Sequence, residues 1–470
     1  MNRSGPFLVD DLGRFVAAAD RSHISEGARR SLKRNVLDTL GCAIAADGEV
    51  ITAILEQVES VGAAAPVATL IGGGSTSIEQ ATLLNSVRVR YLDLLDTYLA
   101  PGGLCHPADN FAALLAVAEQ RRASGEEFLL ALALAYEIQC RFSAQVPVMA
   151  RGLNHALQLA LSVAAGSARL LGLDAERAAH AIAIAAADNV SLSVIHSEPV
   201  SNWKGISPGV TAQRAVSTTA LAARGISGPR GLFEGPNGLD HLLEQTVDLN
   251  LSDPSLDVVE QTHLKKYCAL IHGQPVIETV LHLAESHGLS HHDIAEVRLE
   301  VFQTAYDIAG GGRFGDKAAP RTKEQADYNL KYLAAVALID GQVGPDQLRE
   351  DRVHRDDVQS LLRRVEVVAD ESLTAGYPLT TPVRVHIGLT DGRRWSREQT
   401  DFEGAATRPL SWDRVVQKFH WLTEPYADDA LRTDIIAAVA DLDTISIATL
   451  AALLARVRRT PERPRTHQPV

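Results

Sequence analysis

The chain has 470 residues, of which 46% are apolar and 22% charged, with 45 basic residues against 58 acidic ones and a formal charge of −13. That length predicts two domains and a large buried core, and the acidic balance excludes a protein that wraps nucleic acid or an anionic membrane, since both need a concentrated basic face. Aromatics are only 5% while Ala and Leu abound, which favours close-packed helices over a β-sandwich or barrel. The four cysteines, Cys42, Cys105, Cys140 and Cys268, are widely spaced with no CxxC pair, so neither a zinc knuckle nor a dithiol redox motif is available. They suit buried thiols in a reducing cytoplasm. The opening stretch, MNRSGPFLVDDLGRF, lacks the apolar run of a signal peptide, and the most apolar stretches, Phe128–Ile138 and Ala178–Ala187, are shorter than the roughly 20 residues of a membrane span. A soluble, cytoplasmic protein is expected.

The first half reads as successive helices. Between Glu26 and Ala46, apolar residues recur at Ala28, Leu32, Val36, Leu40 and Ile44, one buried stripe. Similar runs follow at Glu79–Leu94, Phe111–Arg122, Glu127–Val146, Asn154–Leu171, Ala175–Ile184 and Gly209–Arg224. Near residue 290 the period changes. Val297, Leu299 and Val301 alternate with Glu296, Arg298 and Glu300, Pro382–Leu389 alternates again, and Asp391-Gly392 supplies a hairpin turn into Arg394–Thr400. Arg363–Val368 is a shorter candidate strand, and Pro275–His287 and Lys323–Asp340 are helical. Hairpin-joined strands with segregated helices predict an antiparallel α+β domain. After Gly404 the pattern returns to helix at Leu410–Leu422, Ala427–Asp441 and Ile445–Arg458. The expected organisation is a discontinuous helical domain (1–268 and 405–458), a smaller α+β lid domain (269–404) and a disordered Pro- and Arg-rich tail (459–470).

Several motifs are unproductive. The runs IGGGS at 71–75 and AGGGRFG at 309–315 match neither a dinucleotide fingerprint nor a phosphate loop and read as turns. His291-His292-Asp293 has no partners at ligand spacing, and HExxH and GxSxG are absent.

Polar density is concentrated elsewhere. In RYLDLLDTYLAPGGLCHPADN, Asp93, Asp96 and Thr97 fall at i, i+3 and i+4, which would place them on one face of a helix end, and His106 follows ten residues after Asp96. The flanking residues are apolar, so carboxylates and an imidazole are carried into buried surroundings, a cost usually tolerated at functional sites. A solvated loop capped at Asp109 or Asn110 is the plain alternative. In SNWKGISPG, Lys204 stands in a stretch nearly free of other charge, and HLKKYCALIHGQ brings Lys265 and Lys266 ahead of His272 and Gln274. Cations and imidazoles of this kind suit a polycarboxylate ligand. In APRTKEQADYNLKYLAAVALIDG, Thr322 and Gln325 sit at capping-box spacing.

These segments, together with GPRGLFEG, resemble the MmgE/PrpD family of 2-methylcitrate dehydratase and its relatives, from the Arg29–Ala45 helix to the Gln417–Trp421 region. The resemblance implies a mainly helical protein with a second α+β domain, a cleft site between the domains, a homodimer, and neither metal nor organic cofactor. Carried over by motif, the site residues are Asp93, Thr97, His106, Lys204, Lys265 and His272, with His155 of GLNHALQ matching less closely. Lys266, Gln274 and Tyr328 join them as candidate substrate contacts. The family's Asp-His-Ser appears here as Asp327-Tyr328-Asn329, and its Pro-rich run before the second histidine as Cys268-Ala269-Leu270-Ile271. The implied activity is a cofactor-independent hydro-lyase acting on a 2-methylcitrate-like acid, in which a base removes a proton next to a carboxylate, an acid protonates the departing hydroxyl, and cations stabilise the charge that develops. Asp93, His106 and His272 are open to the acid or base role, Lys204 and Lys265 to charge stabilisation, and Thr97 to orienting the substrate. The related reactions, cis-aconitate decarboxylation and iminodisuccinate epimerisation, would use the same pocket, and the two departures favour epimerisation as the alternative. A non-catalytic small-acid sensor has no need of base and acid groups.

Overall fold

The helical periodicity of the first half resolves into α1 (Leu8–Ala18), α2 (Glu26–Ala45), α3 (Glu49–Val61), α4 (Ile78–Tyr91), α5 (Phe111–Arg121), α6 (Gly125–Gln145), α7 (Ala156–Leu170), α8 (Ala175–Asp188) and α9 (Trp203–Ala223). The structure is a computed structural model that describes residues 7–63, 65–101, 103–461 and 465–468. Side-chain caps start several of these helices: Ser25, Ser77, Ser124 and Asp174 each accept from a backbone N–H of the first turn. Helix α7 lies at the centre, against α5, α6, α8 and α9. Its small residues permit this, since a Cβ added at Gly166 would lie 2.8 Å from Leu114 and 3.1 Å from the Ala131 carbonyl. Among the described residues no helix is long and apolar enough to cross a membrane.

The second region contains α10 (Gln274–His287), strand β1 (Ile294–Val301), α11 (Leu330–Asp340), and strands β2 (Val365–Ala369), β3 (Val383–Leu389) and β4 (Arg394–Gln399), in spatial order β2-β1-β3-β4. Helices α10 and α11 contact the sheet, while Arg298, Glu366 and Arg394 project to solvent. The sheet is mixed, whereas hairpin signals predict an antiparallel one. Strands β1 and β3 and strands β3 and β4 pair antiparallel, but β2 runs parallel to β1. Parallel pairing needs a long crossover, which the segment with α11 provides, and nothing local in the sequence announces the partner.

The predicted helix over 323–340 is interrupted. Lys323–Ala326 forms one turn capped by Thr322, the chain opens at Asp327-Tyr328-Asn329, and Asn329 caps α11 through Tyr332 N–H. Helix α9 begins at Trp203, six residues before the periodic run, so Lys204 lies in its first turn.

Beyond Gly404, α12 (Trp412–Thr423) packs on α2, and α14 (Ile447–Leu454), reached through α13 (Asp429–Ala440), packs on α5. Lys418 of α12 is buried and donates to Asp38 Oδ1 at 2.6 Å and to the Lys265 carbonyl at 2.7 Å, joining α2 to the segment that carries Lys265. Residues 462–464 and 469–470 of the expected disordered tail lie outside the described residues. The described part departs from that expectation: the Thr466 carbonyl accepts from Trp421 Nε1, and Gln468 Nε2 donates to the Lys266 carbonyl at 2.7 Å. All four cysteines are buried free thiols.

Candidate active site

Helix α4 ends at Tyr91, and Asp93 adopts φ +49°, a left-handed conformation that costs a non-glycine residue energy and that Asp tolerates better than most. Asp93, Asp96 and Thr97 therefore do not share a helix face as their spacing predicts. The turn at Asp93 releases the chain into an extended bridge in which Thr97 pairs with His263. It also aims Asp93 inward. Its Oδ1 accepts from Arg90 Nη1 and from Lys265 Nζ, each at 2.6 Å, and its Oδ2 lies 3.6 Å from Lys204 Nζ. Burial would raise the Asp93 pKa, but Arg90, Lys265 and Lys204 together hold it well below the usual carboxylate range.

Lys265 is fully buried. Two of its N–H groups go to the Asp93 carboxylate and the Asp93 carbonyl, at 2.6 and 2.9 Å, and the third has no acceptor among the described residues. Lys204 sits elsewhere. It donates to Asp327 Oδ1 at 2.6 Å, and its Nζ is 3.7 Å from the centre of the Tyr328 ring. That ring lines the cavity and Lys204 does not. Lys323 completes the cluster with a 2.9 Å bond to the other Asp327 oxygen. The result is four cations, Arg90, Lys204, Lys265 and Lys323, against three carboxylates, Asp93, Asp327 and, beside Lys323, Glu324. Asp109, which faces Arg90, is pushed up to about 7 by burial and is only a partial counter-charge.

The cavity beside this cluster is bordered by Asp93, Lys265, His106, His155, His196, His272 and Tyr328, with Leu104, Met149 and Ile308 among its apolar walls. Ile308 stands on a π-helical turn, 306–310, a distortion often found at functional sites. His106 is buried, and its Nδ1 donates to the Asp96 carbonyl at 2.8 Å with Thr97 Oγ1 3.2 Å away. A carbonyl only accepts, so the proton of the neutral ring is on Nδ1 and the lone pair is on Nε2. Thr97 thus sits against His106, and it is not among the residues that border the cavity. His272 packs edge-on to Phe302, with its Nε2 3.4 Å from the Tyr377 hydroxyl and its buried Nδ1 without a partner among the described residues.

Two candidates point away. Lys266 pairs with Glu403 at 2.8 Å. Gln274 is a structural clasp whose Oε1 accepts from Lys266 and Tyr267 N–H and whose Nε2 donates to the Tyr267 carbonyl. Sequence reasoning missed Arg90 and His196. Arg90 has the appearance of a helical surface charge, and its only signal is its position three residues before Asp93; His196 closes a short 3₁₀ turn, Ser193–His196, and its spacing to Ser197 and Glu198 matches no motif.

The imidazoles make the fold acid-sensitive. Burial first, then nearby cations, pushes His196 and His272 down to about 3, burial lowers His263 to about 4, and burial with Arg90 holds His106 and His155 well below 6.5. Between those values and 6.5 the unfolded chain binds more protons than the folded one, so each ring withdraws stability as pH falls. Asp96 and Asp109, raised by burial to about 6 and about 7, act in the opposite sense, as do Asp38, Glu119 and Glu137, which burial also raises. With His291 and His420 also lowered by burial, seven imidazoles outweigh these five carboxyls. The urea midpoint is expected to be lower at about pH 5 than at about pH 7.5; an unchanged or higher midpoint at the acid pH would contradict these assignments.

Among the described residues no group of three or more His, Cys, Asp or Glu is placed to hold a metal ion. Chemically, the site offers a lone pair at His106 Nε2 beside a surplus of buried positive charge, a combination suited to taking a proton from a multiply anionic molecule.

The sequence model of the MmgE/PrpD N-terminal domain matches residues 10–252 and that of the C-terminal domain residues 267–444. The chain is 24% identical over 393 residues to the mitochondrial 2-methylcitrate dehydratase of Yarrowia lipolytica, covering 79% of this chain and 74% of the relative. It is 24% identical to a probable 2-methylcitrate dehydratase of Saccharomyces cerevisiae, over 73% of this chain and 70% of the relative. It is 23% identical to the cis-aconitate decarboxylase of Mus musculus, over 85% and 83%.

Proposed function

Since this chain belongs to the MmgE/PrpD family, we propose that it is a cofactor-independent lyase that dehydrates a 2-methylcitrate-like hydroxy-polycarboxylate. The observation that carries this reading is the buried surplus of cations around a cavity that also holds an unprotonated imidazole nitrogen. A C–H next to a carboxylate is weakly acidic because charge builds on an already anionic group as the proton leaves. Lys265, with its spare N–H, and the field of Arg90 and Lys204 stabilise that charge. His106 Nε2 takes the proton. Asp93, clamped by cations, is a poor base and serves to hold Lys265. The hydroxyl leaves as water with a proton from His272, whose affinity for protons rises when a multiply charged acid is bound beside it.

The cavity has only about 20 Å³ open to the centre of a water molecule, far below what a tricarboxylate needs. Substrate access therefore requires the lid, which we place at 269–404, to separate from the helical domain at 1–268 and 405–458. The cytoplasmic location and the homodimer belong to the same proposal. Val190, Leu192 and Val194, at 47, 57 and 64% exposure in the loop before His196, form a stripe suited to a subunit contact, which sedimentation velocity tests. Decarboxylation is the second reading, favoured by the similarity to the Mus musculus decarboxylase across most of both chains; the same base and cations would serve it.

The test is incubation with 2-methylcitrate, citrate, cis-aconitate and iminodisuccinate, following alkene absorbance, CO2 release and optical rotation. Alkene formation from a hydroxy acid supports the dehydratase, CO2 the decarboxylase, and a change in rotation alone the epimerase. Inertness towards all four would overturn the proposal.

A further inference from the structure

Two of the four imidazoles on the cavity wall are held by one side chain behind it. Asn154 is buried, and its Oδ1 accepts from the Ala156 N–H at 2.9 Å. A backbone N–H cannot accept, so this bond fixes which way the carboxamide faces and leaves both hydrogens of Nδ2 to donate. One goes to His196 Nε2 at 2.8 Å, the other to His155 Nδ1 at 3.4 Å. A ring nitrogen that accepts carries no proton, and a neutral imidazole then keeps its proton on the other nitrogen. His155 is thereby the Nε2–H tautomer and His196 the Nδ1–H tautomer. Those two nitrogens, His155 Nε2 and His196 Nδ1, are buried and have no hydrogen-bond partner among the described residues. The rings lie 6.1 Å apart at 28°, and His196 stacks on Tyr328 at 5.7 Å and 4°.

We propose that Asn154 is a positioning residue that fixes both tautomers, so that His155 and His196 present neutral N–H donors to one carboxylate of the substrate. The identity of the ligand rests on the reading given under Proposed function; the tautomers do not. The arrangement divides the histidines by role. His106 offers a lone pair and takes a proton, whereas His155 and His196 offer protons as hydrogen-bond donors and bind. Two buried donors left unpaired are costly, so a molecule lacking an oxygen acceptor at that end is rejected.

The ring-nitrogen chemical shifts of ¹⁵N-histidine-labelled full-length protein test this without any assay of turnover, with signals assigned through the His155→Gln and His196→Asn variants. The wild type is expected to show His155 protonated on Nε2 and His196 on Nδ1. Asn154→Asp still accepts from Ala156 but presents an acceptor to both rings, so each should gain a proton on the nitrogen facing it. A wild-type pattern with either tautomer reversed overturns the inference, and so does an Asn154→Asp pattern unchanged from it. Calorimetry with citrate tests the binding role. His196→Phe keeps a ring over Tyr328 without the donor and should bind about tenfold or more weakly, while His196→Asn restores a donor near the Nδ1 position and should stay within about threefold of wild type. Equal binding by all three overturns the role. If the wild type binds none of the acids in the panel, the functional reading falls and the carboxylate role with it, while the nitrogen shifts still decide the tautomers.

Discussion

Substituting His106 with Gln should lower kcat/KM by about 10²- to 10⁴-fold, the range for loss of a positioned base, with little change in how tightly the substrate binds. Gln has an amide in place of the ring and no lone pair basic enough to take a carbon-bound proton. The pH profile of the wild type should carry the same signature. Burial, followed by the Arg90 and Lys265 charges, holds His106 well below its ordinary value of 6.5, so the ring is unprotonated across the neutral range. The acid limb of kcat/KM should therefore lie well under pH 6.5, and His106→Gln should remove it. A variant with near-normal turnover, or an acid limb centred at 6.5, would show that another group takes the proton.

Asp93→Asn should destabilise the fold by about 3–5 kcal/mol, the usual cost of removing one member of a buried ion cluster. The substitution is close to isosteric, and Asn accepts the left-handed φ of +49° at least as well as Asp, so the loss reports charge rather than shape. Arg90, Lys265 and Lys204 would be left with one counter-charge fewer, and Lys265 would lose its strongest anchor at 2.6 Å. Activity should fall along with stability, because a misplaced cation costs about 10²-fold even at small displacement. A polyanionic ligand should restore part of the lost stability by supplying the missing negative charge. Urea unfolding with and without citrate measures both effects; a variant as stable as wild type, or one indifferent to citrate, would argue against the surplus-charge description.

Much of the fold was legible in the sequence because its signals are local. The α2 stripe, the β1 alternation and the Asp391-Gly392 hairpin each follow from a period or a turn readable within a dozen residues. The parallel β1–β2 pair was not, because its partners are 68 positions apart, as in Val297 with Val365, and no local pattern encodes the choice. The break at Asp327–Asn329 was legible only in hindsight: Asn329 is a good N-cap, yet the apolar period runs through it.

The site divides in the same way. Asp93, His106, Lys265 and His272 stood out as charges amid apolar neighbours, and the cavity gathers all four. Lys204 shared that signal but lies behind Tyr328, held by Asp327, because the sequence shows that a charge is buried and not which way it faces. His196 and Asn154 escaped for the converse reason, since their importance comes from a contact bridging 42 positions.

Proton transfer at the carbon beside a carboxylate is common to dehydration and epimerisation, so solvent exchange tests the central claim most directly. The panel acids, incubated with the protein in D2O and followed by proton NMR, should include one whose α-hydrogen is lost to solvent, read as deuterium in recovered substrate or as loss of that hydrogen with alkene formation, with wild type and not with His106→Gln. Binding of those acids with neither deuterium incorporation nor loss of the α-hydrogen in any of them would contradict the account.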